Sequence, residues 1–335
     1  MSGQLENERA RSERTVGKSE NPRSENTRPG SGRPGSGRPG SGRPPGQAEN
    51  ERAGSGRAGS RFSLNQWTTK RWSVAEAVDG CVRHGVEAIG LWRQNVAEQG
   101  LDETVKLVAD AGLRVSSLCR GGFLTSGDPE ALDDNRRAID EAAELNAACL
   151  VMVVGGLPGV VPGEPLGTIS RDLSGARERV AEALAVLAPY AGERGVRLAL
   201  EPLHPMYCAD RAVLSTLGQA IDLAEPHPPA QVGVVVDTFH VWWDPQIFQQ
   251  IARAGERIAS YQVCDFLSPL PADVLLGRGV MGDGVIDFAP LTRAVAEAGY
   301  TGDIEVEIFN AEVWAADPDE VLTRVRTRFG ELIEG

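Results

Sequence analysis

The chain has 335 residues, of which 41% are hydrophobic, and a formal net charge of −13 at pH 7. Residues 1–60 contain almost no apolar side chains, so only the following part of the chain can bury a core. Because residues 1–60 carry a net charge of +4, the rest carries −17, which argues against nucleic acid or an anionic membrane surface as a partner.

Residues 1–60 form a separate compositional segment. The pentapeptide Arg-Pro-Gly-Ser-Gly occurs three times between Arg28 and Gly42, and proline and glycine at this density predict a disordered tail. An alternative is a nucleic-acid-binding arm, since arginine among glycines can bind phosphate. We favour the disordered tail because the segment has no aromatic side chain to stack on a base.

Two further absences bear on where the protein acts. The sequence has no run of 18 apolar residues and no apolar stretch near Met1, which predicts neither a membrane span nor a signal peptide. Its five cysteines are odd in number and show no C-x-x-C spacing, so we expect a reducing, cytoplasmic environment. These cysteines are Cys81, Cys119, Cys149, Cys208 and Cys264.

From Arg61 onward, strand-like and helix-like segments alternate. Strands are predicted over residues 61–66, 86–91, 114–118, 149–154, 196–200, 232–236, 258–263 and 303–308. Helices are predicted over residues 73–83, 101–111, 128–145, 172–193, 212–224, 246–254, 288–298 and 317–333, with a glycine- and proline-rich connection over 155–168. Eight such pairs close a parallel sheet, so we predict an α/β protein with one (β/α)8 TIM barrel over residues 61–335.

Polar side chains end four consecutive strands. Strand six, rich in valine, stops at Asp237, and the strands around it end in the same way. The four side chains with an oxygen donor at these strand ends are Glu201, Asp237, Gln262 and Glu307. Because the carboxyl ends of parallel strands meet at one rim, we expect these side chains to lie together. Three carboxylates there would repel one another, which predicts a bound divalent metal; the alternative is that a helix cap or an arginine satisfies each acid separately.

The chemistry of these donors indicates the kind of metal. A set made only of oxygen atoms suits a hard ion such as Mg²⁺ or Mn²⁺, whereas zinc sites normally include imidazole or thiolate. Such an ion would stabilise the enediolate that forms when a base removes the proton next to a carbonyl. The expected cofactor is therefore Mn²⁺ or Mg²⁺.

Five motifs carry a resemblance to a known family. The sequences LALEPLHP (198–205), VVVDTFH (234–240), YQVCDF (261–266), GRGVMGDGVIDF (277–288) and IEVEIFN (304–310) resemble the xylose isomerase-like TIM-barrel superfamily. This superfamily includes sugar phosphate isomerases and epimerases, hydroxypyruvate isomerase, ketose 3-epimerases, inosose dehydratase and endonuclease IV. The resemblance covers the chain from about Phe62 to its end.

The resemblance implies roles for the residues at the strand ends. Glu201 and Glu307 match the two family glutamates that bind the metal and exchange a proton with substrate carbon, and Asp237 matches the metal aspartate. Gln262 stands where many epimerases have a histidine ligand. Since hydroxypyruvate isomerase-like members have glutamine there, the closest match in metal-ligand pattern is to that branch.

Other positions are expected to contact substrate. His240 matches the family's D-x-x-H histidine, and His204 and Arg278 resemble further substrate-binding positions, although either histidine could instead orient a neighbouring acid. Tryptophans just beyond the strands, with Trp67 and Trp92 foremost, suggest an apolar wall for a sugar ring. The glycine-rich segment 277–284 is interpreted as a mobile loop that covers substrate.

The function that follows is a divalent-metal-dependent isomerase or epimerase acting on a sugar or a small hydroxy-ketone. The alternative is a lyase or dehydratase that uses the same site on a keto sugar, as inosose dehydratases and C-glycoside-cleaving relatives do. Endonuclease IV-like DNA repair and a non-catalytic barrel are further alternatives. Against the first, endonuclease IV holds three zinc ions through many histidines. Members of the family commonly form dimers or tetramers, so the resemblance also implies a homodimer or homotetramer.

Overall fold

A computed structural model of the chain describes residues 60–160 and 169–335. The predicted tail therefore lies outside the described residues, except for Ser60, and so does most of the predicted connection over 155–168. The described residues all belong to the compact unit Arg57–Gly335.

Ten strands occur in the part of the chain that the structure describes. They are β1 (Phe62–Asn65), β2 (Ala88–Trp92), β3 (Arg114–Gly122), β4 (Leu150–Val153), β5 (Leu198–Leu200), β6 (Val232–Asp237), β7 (Ile258–Val263), β8 (Asp265–Phe266), β9 (Arg278–Gly279) and β10 (Ile304–Val306). Eight of them pair in parallel and close a barrel in the order β1-β10-β7-β6-β5-β4-β3-β2, while β8 and β9 form a separate antiparallel ribbon. The predicted TIM barrel is confirmed.

Helices connect these strands. Within residues 60–160 and 169–335 they are α1 (Val74–His84), α2 (Arg93–Gln99), α3 (Leu101–Asp110), α4 (Pro129–Glu144), α5 (Leu173–Glu193), α6 (Leu217–Ala224), α7 (Thr238–Val241), α8 (Ile247–Ala254), α9 (Phe288–Glu297), α10 (Ala311–Ala315) and α11 (Pro318–Leu332). In this range no helix combines the length and the hydropathy that a membrane crossing requires.

Two helix starts show how local chemistry sets these bounds. A capping box starts α1, in which Ser73 Oγ accepts the Glu76 N–H while the Glu76 carboxylate accepts the Ser73 N–H. The helix predicted from residue 212 begins later, at Leu217. Ala212 instead forms a bridge to Gly155, and the Thr216 hydroxyl accepts the Gln219 N–H and starts the helix there.

The barrel strands alternate between two hydrophobic clusters. In β6, Val234 and Val236 belong to the large cluster between the strands and the helices, whereas Val235 belongs to a smaller cluster with Val151 and Ala199 inside the barrel. All three valines are completely buried. Since successive side chains of a strand point to opposite faces, this pattern decides which residues beyond each strand face the barrel interior.

Candidate functional site

The alternation along the strands turns each predicted donor toward the interior. Glu201 is two residues beyond the interior Ala199, and Asp237 is two residues beyond the interior Val235. In β10, Val306 packs outward between Glu305 and Glu307. The carboxyl ends of the strands therefore bring buried acids to the mouth of the barrel, as the sequence predicts.

A cavity of about 190 Å³ opens at this mouth. Its lining includes Glu201, Glu307, His240 and Arg278 together with the aromatic side chains Trp67, Trp92 and Phe309. Asp237 lies beneath it and is completely buried. One Asp237 carboxylate oxygen accepts the Phe239 N–H at 2.8 Å, which fixes the side chain at the start of α7.

The three acids resist ionisation. Burial raises the pKa of Glu201 well above its usual range, and the charge of Glu307 adds to the rise. Burial also raises the pKa of Asp237, although Arg278 opposes it. The pKa of Glu307 rises to about 8 for the same reason, again against the effect of Arg278. Carboxylates held this far from water need a positive charge nearby to ionise at neutral pH.

Arg278 supplies one such charge from the ribbon strand β9. Its Nη1 donates to Asp237 Oδ2 at 2.9 Å, and its Nη2 lies 3.3 Å from Glu307 Oε2. The same Nη2 lies 3.0 Å from His240 Nε2, and the guanidinium carbon lies 4.8 Å from the Phe239 ring centroid and 5.3 Å from that of Phe309. Arg278, predicted to contact substrate, thus lines the cavity while it also neutralises two of the acids.

The segment around Arg278 is held firmly. The Asp265 carboxylate accepts the N–H groups of Gly282, Gly284 and Ile286 at 2.9, 2.8 and 3.0 Å. Residues 278–281 are buried. The first half of the glycine-rich segment thus packs as a support for Arg278, and its later backbone donors satisfy one buried carboxylate. Residues 282–285 are exposed, and a mobile cover over substrate stays a prediction for them.

His240 lies close to two of the acids, Glu201 and Asp237. Its Nε2 lies 3.8 Å from Glu201 Oε1 and 3.7 Å from Asp237 Oδ2, and these three residues offer atoms within 4.8 Å of one another that could hold a metal ion. His240 Nδ1 accepts the His204 N–H at 3.1 Å, which orients the ring. Burial and, to a smaller degree, Arg278 lower the pKa of His240 well below its usual value, which favours the neutral imidazole.

The other two predicted ligands, Gln262 and Glu307, differ from each other in their hydrogen-bond partners. Gln262 pairs in register with Asp237 across β7 and β6, and its Oε1 is buried with no hydrogen-bond partner among the described residues. Glu307 pairs with Arg278. An unpartnered amide oxygen beside buried carboxylates suits a metal ion, so the donors present fit a divalent cation.

The predicted aromatic wall is present at Trp67 and Trp92. Their ring centroids are 4.6 Å apart, and Phe309 packs 5.1 Å from Trp67. His204, also predicted to bind substrate, is not among the described residues that line the cavity. Its ring packs on Trp243 and Phe266 instead, and its contribution here is the main-chain hydrogen bond to His240.

Sequence reasoning missed a polar cluster under this wall. Asn65, at the end of β1, donates through Nδ2 to Glu305 Oε1 at 2.6 Å and to Glu307 Oε1 at 3.0 Å, and its Oδ1 accepts from Trp92 Nε1 at 3.0 Å. Glu305 is fully buried and also accepts from Ser116 Oγ and Ser117 Oγ. The available signal was the spacing of two between Glu305 and Glu307, which places both on one face of a strand.

The comparisons with known proteins agree with this architecture. A family model described as xylose isomerase-like TIM barrel matches residues 78–327. The crystal structure of protein SMc04130 from Sinorhizobium meliloti 1021 superposes with a TM-score of 0.76 at 48% identity, covering 83% of this chain and 99% of that one. A crystal structure of the IOLI protein with a zinc atom gives a TM-score of 0.68 at 19% identity over 82% of this chain and 98% of that one, which shows the fold alone.

Curated relatives have different activities. A 3-dehydroshikimate dehydratase from Pseudomonas aeruginosa is 32% identical over 150 residues, which are 42% of this chain and 22% of that protein. A D-psicose 3-epimerase from Enterocloster bolteae is 28% identical over 191 residues, 56% of this chain and 58% of that protein. The chain thus spans about a fifth of the length of the first relative and somewhat over half of the second.

Proposed function

The chain belongs to the xylose isomerase-like TIM barrel family, and we propose that it is a divalent-metal-dependent isomerase or epimerase that acts on a small carbohydrate or hydroxy-ketone. The observation that carries the proposal is the charge balance of the cavity. Three buried carboxylates, Glu201, Asp237 and Glu307, face one fully buried guanidinium, that of Arg278, and the partly exposed guanidinium of Arg120. The excess of acid over base in a place shielded from water favours a bound cation.

Glu201, Asp237, Gln262 and Glu307 would hold the ion. When bound, a divalent cation supplies positive charge to the substrate oxygens while the neighbouring carbon loses its proton. The predicted donors are all oxygen, which favours Mn²⁺ or Mg²⁺. Participation of the His240 imidazole, which lies within 4 Å of Glu201 and Asp237, would favour zinc.

The chain's own residues provide the proton transfer. Glu201 follows β5 and Glu307 follows β10, with β6 and β7 between them in the barrel, so the two carboxylates enter the cavity from separate places on its rim. One carboxylate takes the proton next to the carbonyl, and the other returns a proton to the same or the neighbouring carbon. Trp67 and Trp92 pack on the apolar face of the sugar and exclude water.

The test is hydrogen exchange with solvent. The purified chain, stripped with a chelator and reloaded with Mn²⁺, Mg²⁺ or Zn²⁺, is incubated in D₂O with a panel of keto sugars. Proton NMR follows the signal of the carbon next to the carbonyl. We expect loss of that signal with the metal-loaded protein and no loss with the stripped protein, Glu201→Gln or Glu307→Gln. Glu193→Gln, at the exposed end of α5, is the matched control. No exchange with any ketone under any metal would reject the proposal.

A lyase or dehydratase is the second candidate. The apolar wall of Trp67, Trp92 and Phe309 favours it, because such a wall suits a ring that loses a substituent or an attached aromatic group. The similarity to a dehydratase points the same way. Release of water or an aglycone from a 3-keto sugar, observed in the same NMR experiment, separates elimination from isomerisation.

Three other expectations stay predictions. A reducing, cytoplasmic environment is expected from the cysteine pattern of the sequence. A homodimer or homotetramer, and the lack of a nucleic-acid partner, follow from the sequence and the family.

A further inference from the structure

Arg120 is an arginine of the cavity that the proposed chemistry does not use. It lies near the end of β3 and lines the same cavity as Glu201 and Glu307. Its side chain is only partly exposed, and burial lowers the pKa of its guanidinium. A cation in this position has lost much of its hydration and requires a replacement for it.

The described part of the chain supplies no such replacement. No carboxylate there lies within 4.0 Å of the Arg120 guanidinium, and no hydrogen-bond acceptor meets it; its contact is the face of the Phe123 ring, 4.2 Å from the guanidinium carbon. The other two cavity arginines are paired. Arg278 binds Asp237, and Arg211 binds Asp210. Arg120 is therefore the cavity cation, among the residues described, with its charge still available.

The Phe123 ring packs on one face of the Arg120 guanidinium and does not cover the edge that carries its N–H donors. An aromatic ring against one face of a guanidinium holds it flat, while the N–H donors point outward in the plane. That planar fork matches the two oxygens of a carboxylate. Because Arg120 lines the cavity, a substrate bound there would lie next to this guanidinium.

We propose that Arg120 binds a carboxylate group of the substrate. The inference rests on the proposed function and narrows its substrate class to sugar acids and other hydroxy-keto acids. One free positive charge balances one carboxylate. A phosphate, which carries a charge of about −1.5 to −2, would leave unbalanced negative charge in a cavity that already contains Glu201 and Glu307.

The experiment compares three ligands that differ at one carbon: D-glucuronate, D-glucose and D-glucose 6-phosphate. Calorimetry measures their binding to the Mn²⁺-loaded full chain. A charge-assisted pair in a partly dry site predicts that glucuronate binds on the order of 10- to 100-fold tighter than glucose, and tighter than the phosphate. In Arg120→Met this preference should disappear, and Arg120→Lys should retain part of it. Arg211→Met, which removes a paired arginine from the same cavity, should retain all of it.

Stability gives a second readout that a structural role would not produce. Because Arg120 has no partner in the described chain, Arg120→Met should leave the melting temperature of the ligand-free protein unchanged or raise it. Equal binding of glucuronate and glucose, tighter binding of the phosphate, no binding of glucuronate, or a preference that survives Arg120→Met would overturn the inference. A clear fall in the melting temperature of Arg120→Met would overturn it as well.

The two proposals fail separately. Metal-dependent exchange on neutral ketoses without a preference for glucuronate would remove the carboxylate site and leave the proposed function. A preference for glucuronate that depends on Arg120, without exchange on any ketone, would remove the proposed function and leave an acid-binding cavity.

Discussion

Gly90→Ala tests the polar cluster beneath the cavity. A Cβ at residue 90, in β2, would lie 2.5 Å from the Glu305 carboxyl carbon and Oε1 and 2.6 Å from Oε2. Ordinary contact is about 3.5 Å, so the carboxylate would have to move by about 1 Å. Hydrogen bonds of 2.6, 2.6 and 2.8 Å from Asn65, Ser116 and Ser117 hold it in place.

The expected cost follows from those contacts. Overpacking a buried site costs about 1–3 kcal/mol, and a lost hydrogen bond to a charged group costs about 1.5–3 kcal/mol more. Gly90→Ala should therefore lower the free energy of unfolding by about 3–5 kcal/mol. Since Asn65 also holds Glu307, we expect slower hydrogen exchange in the activity assay.

Urea unfolding followed by circular dichroism measures the effect. Gly330→Ala is the matched control, because a Cβ there meets nothing within 4 Å and residue 330 lies inside α11; it should stabilise by about 0.5–1 kcal/mol. If the clash is with Glu305, the double variant Gly90→Ala/Glu305→Ala should be less destabilised than the sum of the two single variants. Full additivity, or a Gly90→Ala protein as stable as the wild type, would refute the reasoning.

Three other predictions concern single side chains. Gln262→Leu should weaken Mn²⁺ binding roughly 10- to 100-fold, as loss of groups around a metal does, and should leave the metal-free stability unchanged because Gln262 Oε1 has no described partner. Calorimetry measures the affinity and urea unfolding the stability; unchanged affinity would show that Gln262 does not bind the metal. Arg278→Met should lower the free energy of unfolding of the metal-free protein by about 3–5 kcal/mol, because it leaves Asp237 and Glu307 buried without their cation. Added Mn²⁺ should restore part of this stability, whereas a decrease under 1 kcal/mol, roughly the value of an exposed pair, would contradict the charge balance. Ser73→Ala should cost about 1 kcal/mol in urea unfolding without affecting exchange, because it removes only the α1 cap; a change in exchange would show that α1 reaches the site.

The sequence by itself determined the barrel fold and the end of the barrel at which the buried acids lie. Strands and helices follow from local apolar spacing, and the valines before Asp237 predict a strand covered on both faces, which the structure confirms. The period of two along a strand also turns Glu201 and Asp237 inward, so the rim acids were predictable from their own segments. These features depend only on neighbours in sequence.

Only the tertiary structure decided which side chains meet. Asn65 and Glu307 are 242 residues apart, and they touch because β1 pairs with β10 when the barrel closes. The pairing of Arg278 with Asp237 likewise depends on where a distant segment of the chain crosses the mouth. Local pattern sets the direction of a side chain, whereas the register between strands far apart in sequence sets its partners. That register is fixed by the closed ring of eight strands as a whole.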